Sequence, residues 1–169
     1  MARLAAARDV PGLIELLRSG DVQVRQQAAL DLGRMGPHAK DAIPALTQTL
    51  KDSDSWVRAW SAEALGRIGP SAQEAVPVLV ESFKDPVVWV RVHAARALGR
   101  LGPPTPATVG ALARSLQDKD WGVRFAAVEA LASLGPAAKD AIPALEQATQ
   151  DPNSVVRWNA AIALKKIRP

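Results

Sequence analysis

The sequence predicts an all-α solenoid of five two-helix units, and three observations carry that prediction. Arg25, Arg58, Arg91, Arg124 and Arg157 stand 33 residues apart, each preceded by a valine: Val24, Val57, Val90, Val123 and Val156. A fixed period of this length marks a stacked array in which each unit is one supersecondary element. Within each period two apolar segments recur at helical spacing with an Asp- or Ser-rich turn between them. The pairs Gly36-Pro37, Gly69-Pro70, Gly102-Pro103 and Gly135-Pro136 punctuate the units, since glycine ends a helix and proline cannot continue one. The units run about 1–36, 37–69, 70–102, 103–135 and 136–169, and together form a single domain.

The first helix of a unit begins near Pro11, Pro44, Pro77 or Pro143. Proline suits a first helical turn, where its missing N–H had no partner, so firm helix is expected from Ile43 and Ile142, with Ala39–Ala42 a short or kinked extra turn. Leu46 with Leu50, Leu79 with Phe83, and Leu112 with Leu116 are i, i+4 pairs on one face and therefore core. Asp21, Asp54, Asp120 and Asn153 precede the second helix as N-caps. Inside that helix Val57, Ser61, Ala62, Ala64, Leu65 and Ile68 recur at steps of three and four and form the buried face. Gly33, Gly66 and Gly99 sit one turn before its end, where glycine costs about 1 kcal/mol relative to alanine; the recurrence points to close packing against the next unit. Lys165 takes this position in the last repeat, the polar cap that a solenoid needs.

Two departures stand out. Gly110 replaces the helix-starting proline after Pro103, Pro104 and Pro106, so the fourth unit is expected to begin differently. Asp31 stands where the other units bury Ala64, Ala97, Ala130 and Ala163, and must find a cation or loosen the first unit.

Composition narrows the function classes. The chain is 48% hydrophobic, enough for a continuous core, and carries a formal net charge of +4. With no cysteine it has neither disulfides nor thiolate metal ligands, and its histidines, His38 and His93, lie in different units. No apolar run approaches the roughly 20 residues of a membrane span. The apolar stretch Leu4–Ala7 is too short for a signal peptide, and a cytoplasmic setting follows.

The pattern Asp-x-x-Val-Arg-x-x-Ala-Ala-x-Ala-Leu-Gly-x-Ile-Gly, present as Asp54–Gly69 with Ser61 at the first alanine, resembles the HEAT-like repeats of phycobilin lyases and consensus-designed binding libraries. The resemblance covers the whole chain and implies a right-handed superhelix of about ten helices. It also implies a ladder between units in which Asp52, Asp85, Asp118 and Asp151 pair with Arg58, Arg91, Arg124 and Arg157, while the first unit has Ser19 in place of the aspartate.

The positions that differ between copies carry the functional information. In the second helices they lie three and two residues before the arginine and one, two, five and nine after it, tracing the face opposite the buried one. All five tryptophans fall there: Trp56, Trp60, Trp89, Trp121 and Trp158, together with Phe125 and His93. Trp56 with Trp60, Trp89 with His93, and Trp121 with Phe125 are i, i+4 pairs. Trp56 and Trp89, at equivalent positions, are expected to be neighbours, making an aromatic strip across units two to five. By the resemblance, these helices line the concave surface of the superhelix. The competing structural reading has the tryptophans filling gaps between units, or mediating weak self-association of an otherwise monomeric chain.

An interaction scaffold follows, not an enzyme and without a cofactor, binding a protein or peptide on the tryptophans with Arg67, Arg96, Arg100, Glu63 and Glu129 setting polarity at the edges. Two alternatives differ in class. Aromatic platforms beside cations suit nucleic acid, and the HEAT-like alkylpurine glycosylases combine such residues with an aspartate. Here Glu63 and Glu129 offset the cations, no aspartate occupies these positions, and both facts argue against it. A tetrapyrrole could stack on the tryptophans, as the lyase resemblance implies, but no cysteine is present to hold a bilin. Glu63 and Glu129 lie two units apart, about 20 Å by helix spacing, and are no acid/base pair.

Overall fold

A computed structural model describes residues 9–168. The Leu4–Ala7 stretch and the first residues of unit one lie outside that range. Ten α-helical segments follow one another: α1 (Val10–Leu16), α2 (Val22–Met35), α3 (Ile43–Thr49), α4 (Ser55–Ile68), α5 (Val76–Glu81), α6 (Val88–Leu98), α7 (Pro106–Ser115), α8 (Trp121–Leu134), α9 (Ile142–Ala148) and α10 (Ser154–Ile167). No strand occurs among the described residues. The expected count of about ten separate helices is corrected in one respect: 3-10 turns at Gly36–Ala42, Gly69–Ala75, Ser82–Lys84 and Gly135–Ala141 join the segments into seven continuous helical runs.

Those turns explain the Gly-Pro punctuation. Gly36, Gly69 and Gly135 have φ of 55°, 81° and 58°, a left-handed backbone that residues with a Cβ rarely adopt. The proline after each starts the 3-10 turn, and buried Ala39, Ala72 and Ala138 break its helical geometry three residues into the turn. The fourth unit does begin differently. After Gly102 the proline-rich stretch forms no 3-10 turn; Pro106 instead opens a ten-residue α7, capped by the Thr105 hydroxyl accepting from the Thr108 N–H at 3.2 Å. Gln73 supports the detour by donating to the carbonyls of Leu101 and Pro103 at 2.7 and 3.1 Å.

The second helices start where their caps predict. Side chains of Asp21, Asp54, Asp120 and Asn153 accept backbone N–H groups of the first turn at 2.8–3.3 Å. The third unit has Val87 in the cap position with no side-chain cap, yet α6 starts in the same register as the others; it is the shortest second helix because it ends early, at Leu98.

Packing follows the unit plan. α2, α4, α6, α8 and α10 lie side by side, each against the next, and α1, α3, α5, α7 and α9 pack against them in a second layer. One apolar core runs between the layers, including Leu17, Leu32, Leu46, Leu65, Leu79, Leu98, Leu112, Leu131, Leu145 and Ile167, each almost wholly buried. Asp31 finds its cation within its own helix, accepting from Arg34 and Gln27 at 2.9 Å each.

Arginines bind consecutive units. Arg25, Arg58, Arg91 and Arg124 each give two parallel N–H bonds, at 2.6–3.0 Å, to Asp52, Asp85, Asp118 and Asp151 respectively. Each arginine therefore takes the aspartate of the following unit, which corrects the order implied by the family resemblance: Asp52 holds Arg25, not Arg58. The physical reason is reach. The residue six places before each arginine, Ser19 in the first unit and an aspartate in the others, offers its backbone carbonyl, so the Arg58 Nη1 donates to the Asp52 carbonyl at 2.9 Å while its fork turns forward to Asp85. Arg157 has no following aspartate and donates to the carbonyls of Asp151 and Pro152. The aspartates serve a further end, each accepting the N–H two residues ahead and so fixing the turn before the second helix.

Candidate functional surface

The variable face divides into three zones along the second helices. Near their N-termini stand the exposed indoles of Trp56, Trp89 and Trp121, which are 43%, 54% and 50% exposed, while Trp158, a turn into α10, is 68% exposed. Soluble chains seldom leave four large rings open without use. In the middle, Trp60 and Phe125 are half-buried and pack onto the core. Toward the C-termini lie Arg67, Arg100 and Glu129, exposed, with Arg96 partly buried.

The aromatic strip is less continuous than the helical register predicts. Among the described residues the ring contacts are Trp56 with Trp60, stacked at 5.7 Å and 21°, and Trp60 with His93, tilted at 5.4 Å and 55°. His93 thus leans across to the neighbouring unit and not along its own helix to Trp89. Trp121 and Trp158 stand apart from this cluster. For Trp60 against Trp56 and Trp89 the cause is position: Trp60, two places after its arginine, points into the seam between α4 and α6, whereas the other two, two places before theirs at the helix start, lie exposed.

Glu63 is the residue that sequence reasoning misplaced. Expected at an exposed edge, it is only 8% exposed. Its Oε1 accepts from Arg67 Nε at 2.8 Å and from Arg100 Nη1 at 3.1 Å, and its Oε2 lies 3.2 Å from His93 Nδ1. Only Arg67, one helical turn away, was a visible signal; Arg100 and His93 come from the next unit. The hydrogen bond to His93, then Arg67 and Arg100, outweigh the burial penalty and hold the Glu63 carboxyl well below the usual carboxylate range. A folded-state value depressed in this way adds stability that is fully present above the unfolded glutamate pKa of about 4.3 and is lost as pH falls through the folded value. Urea unfolding of wild type and Glu63→Gln at pH 7 and pH 3 is expected to show wild type ahead at neutral pH and the gap narrowing in acid; an equal gap at both would remove the charge as its source.

Arg96 and Arg100 line, with Gly99, Glu129, Ala130 and Ser133, a shallow cleft of about 300 Å³ between the third and fourth units. Arg96 has no ion-pair partner among the described residues. The arrangement presents flat apolar rings beside guanidinium N–H donors.

A family model for HEAT repeats matches residues 10–91 and 84–165. The chain is a HEAT-repeat protein. Several solved structures share its fold. A chain in the complex of CpcE and CpcF of phycocyanin lyase from Nostoc sp. PCC7120 is 28% identical with a TM-score of 0.80, over 94% of this chain and 65% of that one. An engineered protein is 26% identical with a TM-score of 0.73, over 99% and 82%. A designed armadillo repeat protein in complex with the peptide (KR)4 is 20% identical with a TM-score of 0.74, over 99% and 85%, and at that identity shows the fold alone. No curated protein sequence matches the chain. No helix among the described residues of the HEAT-repeat array is long and apolar enough to cross a membrane.

Proposed function

We propose that this protein is a non-enzymatic scaffold, one domain coiled as a right-handed superhelix, that binds a protein or peptide segment along the concave side formed by its second helices. The observation that carries the proposal is the set of four exposed tryptophans, three at helix starts and Trp158 one place after its arginine, on positions that differ from unit to unit. Tryptophan and arginine dominate interface energetics because they bury large areas with few rotors, and both are present. The peptide held by the designed armadillo neighbour supports the reading as an example of what stacked helical repeats can do. Trp60 and Phe125 form the half-buried floor, and Trp56, Trp89, Trp121 and Trp158 are the contact rings.

The test is a random-peptide library selected on wild type, with the recovered peptides titrated against Trp56→Ala/Trp89→Ala/Trp121→Ala. Affinity is expected to fall by at least about tenfold while helicity and the urea midpoint stay within about 0.5 kcal/mol per site of wild type, as exposed surface positions do. Equal affinity for the variant, or no peptide recovered, would defeat the proposal.

The lyase neighbour supports a second reading, a tetrapyrrole stacked on the same rings. Visible absorbance co-purifying with the protein would favour it over a peptide.

A further inference from the structure

The charges on the binding face say which kind of segment it accepts. Among the second helices the acidic side chains are Asp31, Glu63 and Glu129. Asp31 is held by Arg34 and Gln27. Glu63 has both oxygens engaged and is buried. The ladder aspartates have both oxygens in the arginine forks, and the cap Asp54 accepts Gln26 besides its own backbone N–H groups. Glu129 alone remains exposed without a hydrogen-bond partner among the described residues. Donors are in the opposite condition. Arg67 and Arg100 spend one N–H each on Glu63 and are half exposed, so their remaining N–H groups face outward, beside Arg96 in its cleft.

Resting on the scaffold reading above, we infer that the occupant is an acidic segment whose carboxylates reach Arg67, Arg96 and Arg100 while its apolar side chains lie on Trp56, Trp89 and Trp121. A guanidinium fork binds a carboxylate through two N–H bonds, and that is the group this face lacks and its donors fit. A basic segment could rest cations on the rings and meet the cap carboxylates there, but toward the helix ends its next charges would meet three arginines, with Glu129 the one exposed carboxylate among the described residues of the second helices.

Spacing sharpens the segment's pattern. Arg67 and Arg100 occupy equivalent places in consecutive units, and packed helices lie 8–10 Å apart. A polyproline-II chain advances about 9 Å over three residues and returns its side chains to one side with that same period. Glutamates at every third residue therefore keep step with the units: one carboxylate meets the Arg67 and Arg100 groups gathered on Glu63 Oε1, the next comes over the Arg96 cleft between units three and four, and apolar residues between them turn to the tryptophans.

The probes are fluorescently labelled peptides repeating Glu-Leu-Pro and Lys-Leu-Pro, the peptide (KR)4, and a single-stranded oligonucleotide of similar length, titrated by anisotropy at low and moderate salt. The glutamate peptide is expected to bind at least about tenfold more tightly than either basic peptide. Arg96→Glu should remove most of that preference and Arg96→Gln part of it, both with wild-type circular dichroism. Four results overturn the inference: a basic peptide that binds as well or better, an oligonucleotide that binds more tightly than the acidic peptide, no binding by any probe, or a dimer of the free protein that Trp89→Ala dissolves, which would make a second copy the occupant. A basic peptide whose binding is lost in the triple tryptophan variant would leave the scaffold reading standing and remove only its acidic preference, so the two can fail separately.

Discussion

Arg91→Ala is expected to destabilise the protein by about 3–5 kcal/mol, the cost of breaking one partner out of a desolvated ion pair. Arg91 is the most buried of the ladder arginines, with a side chain 6% exposed against 15% for Asp118. Its removal strands a carboxylate that accepted two N–H bonds at 2.8 and 3.0 Å, and leaves the carbonyls of Asp85 and Pro86 without their donor. Those bonds join α6 to the turn that follows its own unit's first helix, α5, and to the turn that follows α7, so the loss falls on the junction of units three and four. Arg157→Ala is the internal control. That arginine makes the same two carbonyl bonds, is exposed, and has no carboxylate ahead of it; its loss is expected to cost about 1–2 kcal/mol at the net worth of hydrogen bonds. Urea denaturation of both variants measures the difference, and a cost under about 1 kcal/mol for Arg91→Ala would reduce the ladder to an ordinary screened surface pair.

The ladder also shows how far a repeat sequence can be read. The recurring arginines and aspartates were legible from the period, and the family resemblance implied that they pair. The phase of the pairing was not legible. Arg58, Arg91 and Arg124 each have one aspartate six residues behind and another 27 residues ahead, and periodicity treats the two as equivalent. Only three-dimensional stacking decides that the near one offers a carbonyl and the far one a carboxylate. Glu63 and Trp60 escaped for a related reason. A helical wheel places them on the outer face, but a wheel describes one helix against solvent, and both residues are covered by α6 and its His93 and Arg100 from the next unit. By contrast Trp56, Trp89 and Trp121 were readable as exposed because they stand at helix starts, where a neighbouring helix gives least cover. The detour of unit four was equally readable, since prolines constrain backbone directly.

Gly66→Ala and Gly99→Ala are expected to destabilise by about 1–2 kcal/mol, after the roughly 1 kcal/mol by which alanine is the better helix former is set against the strain. A Cβ on Gly66 would lie 2.7 Å from the Ala97 Cα and 3.1 Å from its Cβ; on Gly99 the distances to Ala130 are 2.8 and 2.9 Å. Backbone atoms in a packed helix cannot yield as a side-chain tip can, so the two helices must separate, and overpacking of this kind costs about 1–3 kcal/mol. Gly33→Ala tests the geometry in the same molecule. There the nearest atom of Ala64 is at 3.2 Å, a few tenths of an ångström from ordinary contact, and the propensity gain is expected to offset most of the strain. The predicted order of urea midpoints is therefore Gly33→Ala above Gly66→Ala and Gly99→Ala. A second substitution separates backbone from side-chain clash: adding Ala97→Gly to Gly66→Ala removes the 3.1 Å contact but not the 2.7 Å one, so recovery should be partial. Full recovery would mean that the helices approach less closely than this, and equal midpoints for all three single variants would mean that the glycines are kept for some reason other than the stacking of one unit on the next.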